Sequence, residues 1–337
     1  MRLKYLVTII IFLSFLMTSC LPSSPNSAGK RTITVYAFSV MKESLEKEIF
    51  PSFKEKWRIE HGEEIEFNAS FAGSETVVNQ IQTGVPAEIG IFSIERDVDR
   101  LIKSGHVPTD WYVTPQKGIV NKTPFVILVR KGNPKGITDF PDLAKEGVKV
   151  IHPDPTSSGG AQWSILAIYG SELLKSEKAG AKDEAKALET LKGIWKNVVS
   201  TPGSAREART QFETGFGDAL ITYELEGLLM KQANAPIEVV IPKSTIFSEH
   251  PVAIIDKNVT NEERPLVEAF RNYLWSGTAQ KIFVKFHFRS TTDDKLNDSN
   301  PEFAKIELPF TVQQFGGWAK AYPDVIEGIF QKQVQKK

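Results

Sequence analysis

The chain has 337 residues, with 41 basic and 41 acidic side chains, five histidines, one cysteine and 41% hydrophobic content, which marks ordinary globular material with room for two domains. Balanced charge scattered along the chain supplies no basic face for a phosphate backbone, so nucleic acid is not an expected partner. A lone cysteine forms no internal disulfide, and His61, His106, His152, His250 and His287 are too widely spaced for a local metal-ligand pattern, so neither a metal nor another cofactor is expected.

The chain opens with Arg2 and Lys4, followed by the apolar run Tyr5 to Met17, a signal peptide by length and too short to span a bilayer comfortably. Leu16-Met-Thr-Ser-Cys20 follows, and its small residues before the only cysteine resemble the lipobox of bacterial lipoproteins. That resemblance implies cleavage after residue 19, lipidation of Cys20 and a mature chain with 39 basic and 41 acidic side chains. Leu21 to Lys30, rich in Ser, Pro, Asn and Gly, reads as a tether holding a folded body near the membrane.

Beyond the tether, strand and helix patterns alternate. Ile33 to Ala37 is a β-branched and aromatic run, and the amphipathic series Leu45, Ile49, Phe50, Phe53, Trp57 follows it. Strand Glu64 to Phe67, helix Glu75 to Thr83, strand Ile89 to Phe92 and helix Val98 to Ser104 continue the series. A second series contains strands at Phe125 to Val129, Val148 to Ile151, Ala219 to Tyr223 and Ile237 to Ile241, with a helix from about Gly160 to Leu174. Lys175 to Lys192 reads as a solvated surface helix. Pro251 to Ile255 opens a last strand, and helices Glu262 to Trp275 and Thr278 to Phe286 follow with no further strand series. The expectation is an α/β protein of two lobes, each a mostly parallel sheet flanked by helices. Domain one takes residues 31–120 and 250–337, domain two 121–249, and the chain crosses near Lys122 to Ile127 and Phe247 to Ala253.

In open α/β sheets, ligands lie beyond the carboxyl ends of the strands, where helix N-termini direct unpaired N–H groups outward. Four such places carry hydroxyl or glycine residues: Ala37-Phe-Ser39, Phe71-Ala-Gly-Ser74, Ser157-Ser-Gly-Gly160 and Gly203-Ser-Ala-Arg-Glu-Ala208. Any one alone is adequately explained as a local cap. Four at corresponding strand ends suit a small oxyanion, because each terminus carries roughly half a positive charge and several free donors.

Ser158-Gly-Gly-Ala-Gln-Trp163, with Arg130-Lys-Gly-Asn-Pro-Lys-Gly136 upstream and Gly217 to Glu224 downstream, resembles the periplasmic sulfate-binding protein family of ABC importers, a type II solute-binding fold. The resemblance implies anion contacts from the Ser158 hydroxyl and the Gly159 and Gly160 N–H groups, from Ser74, and from the N–H of either Ala205 or Ala208. Where that family has an Asp and a Trp, this chain has Ser39 and Tyr223, which resemble the molybdate- and tungstate-binding relatives, as does Gln80 to Ala87. The implied function is a lipid-anchored monomer on the outer face of a bacterial membrane that presents sulfate to an ABC permease, with molybdate, tungstate or phosphate as alternatives. Phosphate would need a carboxylate acceptor, for which Glu75 and Glu224 are the candidates, and Arg206 reads as a brace between loops. Two functions of other classes are open to this sequence. A receptor that signals without transport is one, and a hydrolase using Ser74 or Ser158 with His152 or His250 is the other. No Gly-x-Ser-x-Gly or Ser-x-x-Lys motif surrounds either serine, and no catalysis is expected.

Overall fold

The computed structural model describes residues 30–335. The signal segment, Cys20 and most of the tether lie outside the described residues.

Among the described residues ten strands occur in chain order: β1 Arg31–Phe38, β2 Ile65–Ala72, β3 Ile89–Ile91, β4 Ile119–Arg130, β5 Val150–Ile151, β6 Val198–Ser200, β7 Ala219–Tyr223, β8 Ile237–Val240, β9 Ser244–Ile254 and β10 Leu308–Phe310. Their lateral order is β2-β1-β3-β9-β4-β7-β5-β6, with β10 beside β9 and β8 beside β4. β1 pairs in parallel with β2 and β3, and β5 pairs in parallel with β6 and β7. These two parallel groups are joined by the long antiparallel pair β4–β9, in which Asn121 faces His250 and Pro124 faces Phe247. Past Pro124, β4 changes partner, and Phe125 to Val129 pair with β7. The mixed α/β class therefore agrees with the alternating pattern of the sequence, and each parallel group comes from one strand–helix series.

Helix positions follow from local chemistry. Helix Phe50–His61 ends at Gly62, whose φ of 67° is the left-handed conformation that a C-terminal glycine adopts without strain, and its N–H closes on the Arg58 carbonyl at 2.9 Å. Its buried face, Phe50, Phe53 and Trp57, meets Phe67 of β2 and Phe270 of helix Arg264–Tyr273. Phe270 thus packs beside both elements, with ring centroids 4.8 Å from Phe67 and 5.1 Å from Phe53.

Two expectations are corrected. The helix expected over Lys175 to Lys192 is broken, because helix Gly159–Lys178 ends before Gly180, at φ 137°, and Asp183 caps a separate helix Glu184–Lys196 through the Lys186 N–H. That second helix is not simply solvated, since Ala187, Leu191 and Ile194 are buried. Pro251 to Ile255 is not the start of a strand but the end of one, and a further short strand, β10, lies beyond the last predicted helices. The carboxyl-terminal helical segment Tyr322–Gln335 lies against helix Glu184–Lys196, where Phe330 meets Trp195 edge-on at 4.7 Å. No helix of the described residues is long and apolar enough to cross a membrane.

Replacing Phe270 by Ala removes a ring enclosed by three other aromatic side chains and is expected to cost about 3–5 kcal/mol, read as a fall in the denaturant midpoint with unchanged m-value.

Candidate functional site

The carboxyl ends of β1, β2, β3 and β7, and the loop after β5, lead directly into helical turns. Ser39 follows β1 and starts a 3-10 turn that packs against the beginning of helix Ala205–Glu213 and against β2. After β2, Gly73 precedes helix Ser74–Gln82, and after β3, Ser93 precedes helix Glu95–Lys103. Ser158 is the residue before helix Gly159–Lys178, Ser204 precedes helix Ala205–Glu213, and Tyr223 ends β7 where helix Glu224–Gln232 begins.

These turns meet. The Glu75 N–H donates to the Ser157 carbonyl at 3.2 Å, linking the β2 end of the first strand group to the loop after β5 in the second. At Gly73 an added Cβ would stand 2.4 Å from the Ser157 oxygen and 2.6 Å from the Gly203 oxygen, both rigid backbone atoms, so only glycine permits this approach. Gly159 lies against Ser93 and Ser74, and Gly160 against the Tyr223 hydroxyl, so both glycines also admit neighbours from other strands. Ser39, Ser74, Ser158, Gly159, Gly160, Ala205 and Tyr223 all lie at buried strand ends or helix starts within this set of turns.

The caps differ in a way that separates local roles from free donors. Ser204 caps its own helix by accepting from the Glu207 N–H at 3.2 Å, while the Glu207 carboxylate accepts from the Gly203 N–H at 2.9 Å. Ser158 makes no such cap, although its side chain is buried. Of the two alanines, Ala208 spends its N–H on the Ser204 carbonyl at 3.0 Å and buries its methyl among Val126, Leu128 and Phe212. Ala205 occupies the first helical position, whose N–H has no intrahelical acceptor.

Carboxylates and guanidiniums around the site pair with one another. Glu75 binds Arg96 at 2.7 Å and Arg100, and Gln162 donates to the same carboxylate at 3.0 Å. Arg96 also stacks on the Tyr322 ring at 3.5 Å. Glu224 takes three hydrogen bonds from Arg289, at 3.1 Å from Nε and at 2.9 and 2.8 Å from Nη2, and a fourth from the Ala304 N–H, so both candidate proton acceptors already have partners. Arg206 joins Glu43 to the fully buried Glu226, which matches its reading as a brace; burial alone would discharge it, but Glu226 and Glu43 outweigh that and raise its pKa. Arg130, from the upstream motif, donates to the carbonyls of Phe212 at 2.7 Å and Gly217 at 3.0 Å, anchoring the turn before β7.

Two residues here escaped sequence reading. Ser93 follows β3 as Ser39 and Ser74 follow β1 and β2, and that shared pattern was the available signal. Asp97 is fully buried, accepts the Ser74 hydroxyl at Oδ2 and has no protein partner at Oδ1. Burial first, and neighbouring Glu75 second, push its carboxyl well above the usual range. The serine–histidine pairs considered for hydrolysis do not form: His152 bonds Ser164 Oγ at 2.6 Å and the Pro153 carbonyl at 2.7 Å, and His250 bonds Asn121 Oδ1 at 2.6 Å.

Such a site, in which backbone turns from two strand groups meet around uncharged hydroxyl and N–H donors, defines a solute-binding protein of the two-group α/β type. Residues 33–289 match the family of bacterial extracellular solute-binding proteins, and the chain belongs to it. It is 32% identical to a sulfate-binding protein of Synechococcus elongatus, over 90% of this chain and 85% of that one, and 35% identical to one of Salmonella typhimurium, over 81% and 83%. A thiosulfate-binding protein of Escherichia coli is 34% identical over 83% of this chain and 82% of its own. Among solved structures, the sulfate-binding protein SubI of Mycobacterium tuberculosis matches with a TM-score of 0.79 and 30% identity, covering 87% of this chain and 99% of that one. These likenesses establish the type II solute-binding fold.

Gly73→Ala forces the Ser157 and Gly203 carbonyls away, an overpacking expected to cost about 1–3 kcal/mol, read as a fall in melting temperature relative to wild type. His250, tilted against Phe38 and edge-on to Tyr223, is held down to about 3 from 6.5 by burial, so the folded state excludes a proton that the unfolded state takes up. Its contribution to stability is complete above pH 6.5 and is lost as the pH falls toward 3, and His250→Gln should make the acid-side fall in melting temperature shallower.

Proposed function

We propose that the protein captures a tetrahedral oxyanion, sulfate foremost, in this cluster of turns and presents it to an ABC permease. The observation that carries the reading is the meeting of the Ser39, Ser74, Ser158 and Ala205 turns, drawn from both strand groups, with Gly73, Gly159 and Gly160 allowing the backbones to touch. Its support from kinship is the run of sulfate-binding relatives at 30 to 35% identity. In this reading Ser39, Ser74, Ser158, Gly159, Gly160 and Ala205 hold the anion, and Tyr223 closes the floor in place of a tryptophan.

The energetics suit a bare dianion. Each helix start contributes roughly half a positive charge, and each charge-assisted hydrogen bond about 1.5–3 kcal/mol, so several together offset dehydration without a cationic contact. A protonated anion needs an acceptor instead, and Glu75 and Glu224 are engaged by arginines. That disfavours phosphate. The two strand groups act as lobes, residues 31–120 with 250–337 and residues 121–249, which close about β4 and β9 when the anion bridges them. Export, lipidation at Cys20 and a monomeric form complete the proposed working state.

Calorimetric titration of anion-stripped protein against sulfate, thiosulfate, molybdate, tungstate and phosphate tests this reading. Sulfate should bind most tightly and phosphate most weakly, and a protein that binds none of the five refutes it. Ser158→Ala should weaken sulfate binding by about ten- to a hundredfold, the loss of one charge-assisted hydrogen bond, with the apo melting temperature unchanged.

A further inference from the structure

Ser93 stands at the centre of a hydrogen-bond arrangement that its neighbours fix almost completely. Its N–H donates to Ser74 Oγ at 2.8 Å, and its carbonyl accepts from the Trp163 indole at 2.6 Å. The Ser74 hydroxyl thus accepts from the Ser93 N–H and donates to the buried Asp97 carboxyl. Only the hydroxyl of Ser93 remains to be assigned, and it lies 2.8 Å from the hydroxyl of Tyr223.

Two oxygens here share two protons, and one proton lies between them. A phenol, with an ordinary pKa of about 10, is a far stronger acid than an aliphatic alcohol and therefore the better donor. Burial pushes the Tyr223 phenol up, so it keeps its proton and has one to donate. The favoured arrangement is Tyr223 O–H donating to Ser93 Oγ, which leaves the Ser93 proton free to point elsewhere. Where it can point follows from position: Ser93 Oγ lies 2.9 Å from the place a Cβ would take on Gly159, beside the first turn of helix Gly159–Lys178 and its unpaired N–H groups.

Building on the oxyanion reading, we propose that Ser93 is the hydroxyl that donates to the anion at this corner of the site, and that Tyr223 is a positioning residue acting through it. The Asp97–Ser74 pair and Trp163 hold the Ser93 backbone, and Tyr223 sets the direction of its proton. Ser74 then serves the anion through its backbone, because its hydroxyl is already committed on both sides. Glycine at 159 is what gives the Ser93 side chain its space.

The test is sulfate titration of full-length wild type, Ser93→Ala, Tyr223→Phe and the double variant, with apo melting temperatures alongside. Ser93→Ala should weaken sulfate binding by about tenfold or more, Tyr223→Phe by clearly less, and the double variant by no more than Ser93→Ala alone. A purely structural role for Tyr223 would add its loss to that of Ser93 instead. Ser93→Ala within about twofold of wild type, or additive losses, overturns the proposal while sulfate binding by the wild type keeps the oxyanion reading intact. A wild-type protein that binds no sulfate overturns both. Should Ser93→Ala fail to fold, a crystal structure of the wild type with sulfate decides: Ser93 Oγ within hydrogen-bond reach of a sulfate oxygen and Tyr223 Oη bonded to Ser93 supports it, and Tyr223 Oη on the sulfate overturns it.

Discussion

Every helix begins with N–H groups that its own turns cannot satisfy, and this fold brings the beginnings of several helices into one buried region. Ser74–Gln82, Glu95–Lys103, Gly159–Lys178, Ala205–Glu213 and Glu224–Gln232 all start at the strand ends or loops described above. Buried donors left unpaired are costly, and partial positive charges that face one another repel, so the region is at its most stable when something negative occupies it. Some donors are met internally, as at Ser204 with Glu207, or across the strand groups, as at Glu75 with Ser157. The remainder set the chemistry.

Close approach is the second requirement, and it falls on backbone rather than side chains. Gly73 can touch the carbonyls of Ser157 and Gly203 only because it has no Cβ, and the contact joins segments far apart in sequence. Around this contact the charged residues balance one another at a distance: Glu75 with Arg96 and Arg100, Glu226 with Arg206 and Arg209. Buried ion pairs of this kind add little net stability, but breaking one strands a charge, so they fix the orientation of the helices that carry them. Arg206 spans from helix Ala205–Glu213 to Glu43 behind the Ser39 turn, and so links the two strand groups beside the site.

The alternating series of β-branched runs and amphipathic stretches made the α/β class readable, because strand and helix periods differ and tertiary context reinforces them here. The turn at Ser158, Gly159 and Gly160 was legible as a helix start, since hydroxyl and glycine residues after a strand commonly mark one. What sequence could not supply was partnership. The Ser74 hydroxyl reads from sequence as a free donor, but in the fold it donates to Asp97, which lies on a different helix. Ala205 and Ala208 are chemically identical in sequence, and only the helix register gives one a free N–H and the other a place in the core. The break at Gly180 was visible as a residue type but was masked by the charged, Ala-rich composition on both sides of it.

The same hydrogen bonds argue for binding without catalysis. A serine nucleophile needs a base that takes its proton toward a reacting centre, and that base must be free to accept it. The Ser74 hydroxyl donates to the Asp97 carboxyl, whose pKa is raised, and accepts from the Ser93 N–H, so both sides of it are engaged. His152 and His250 are neutral, buried and occupied by Ser164 and Asn121. Hydroxyls whose directions are fixed by neighbours make poor nucleophiles and good recognition groups, since little conformational freedom is lost when a ligand meets them. The network that holds Ser93 in place therefore suits recognition rather than reaction.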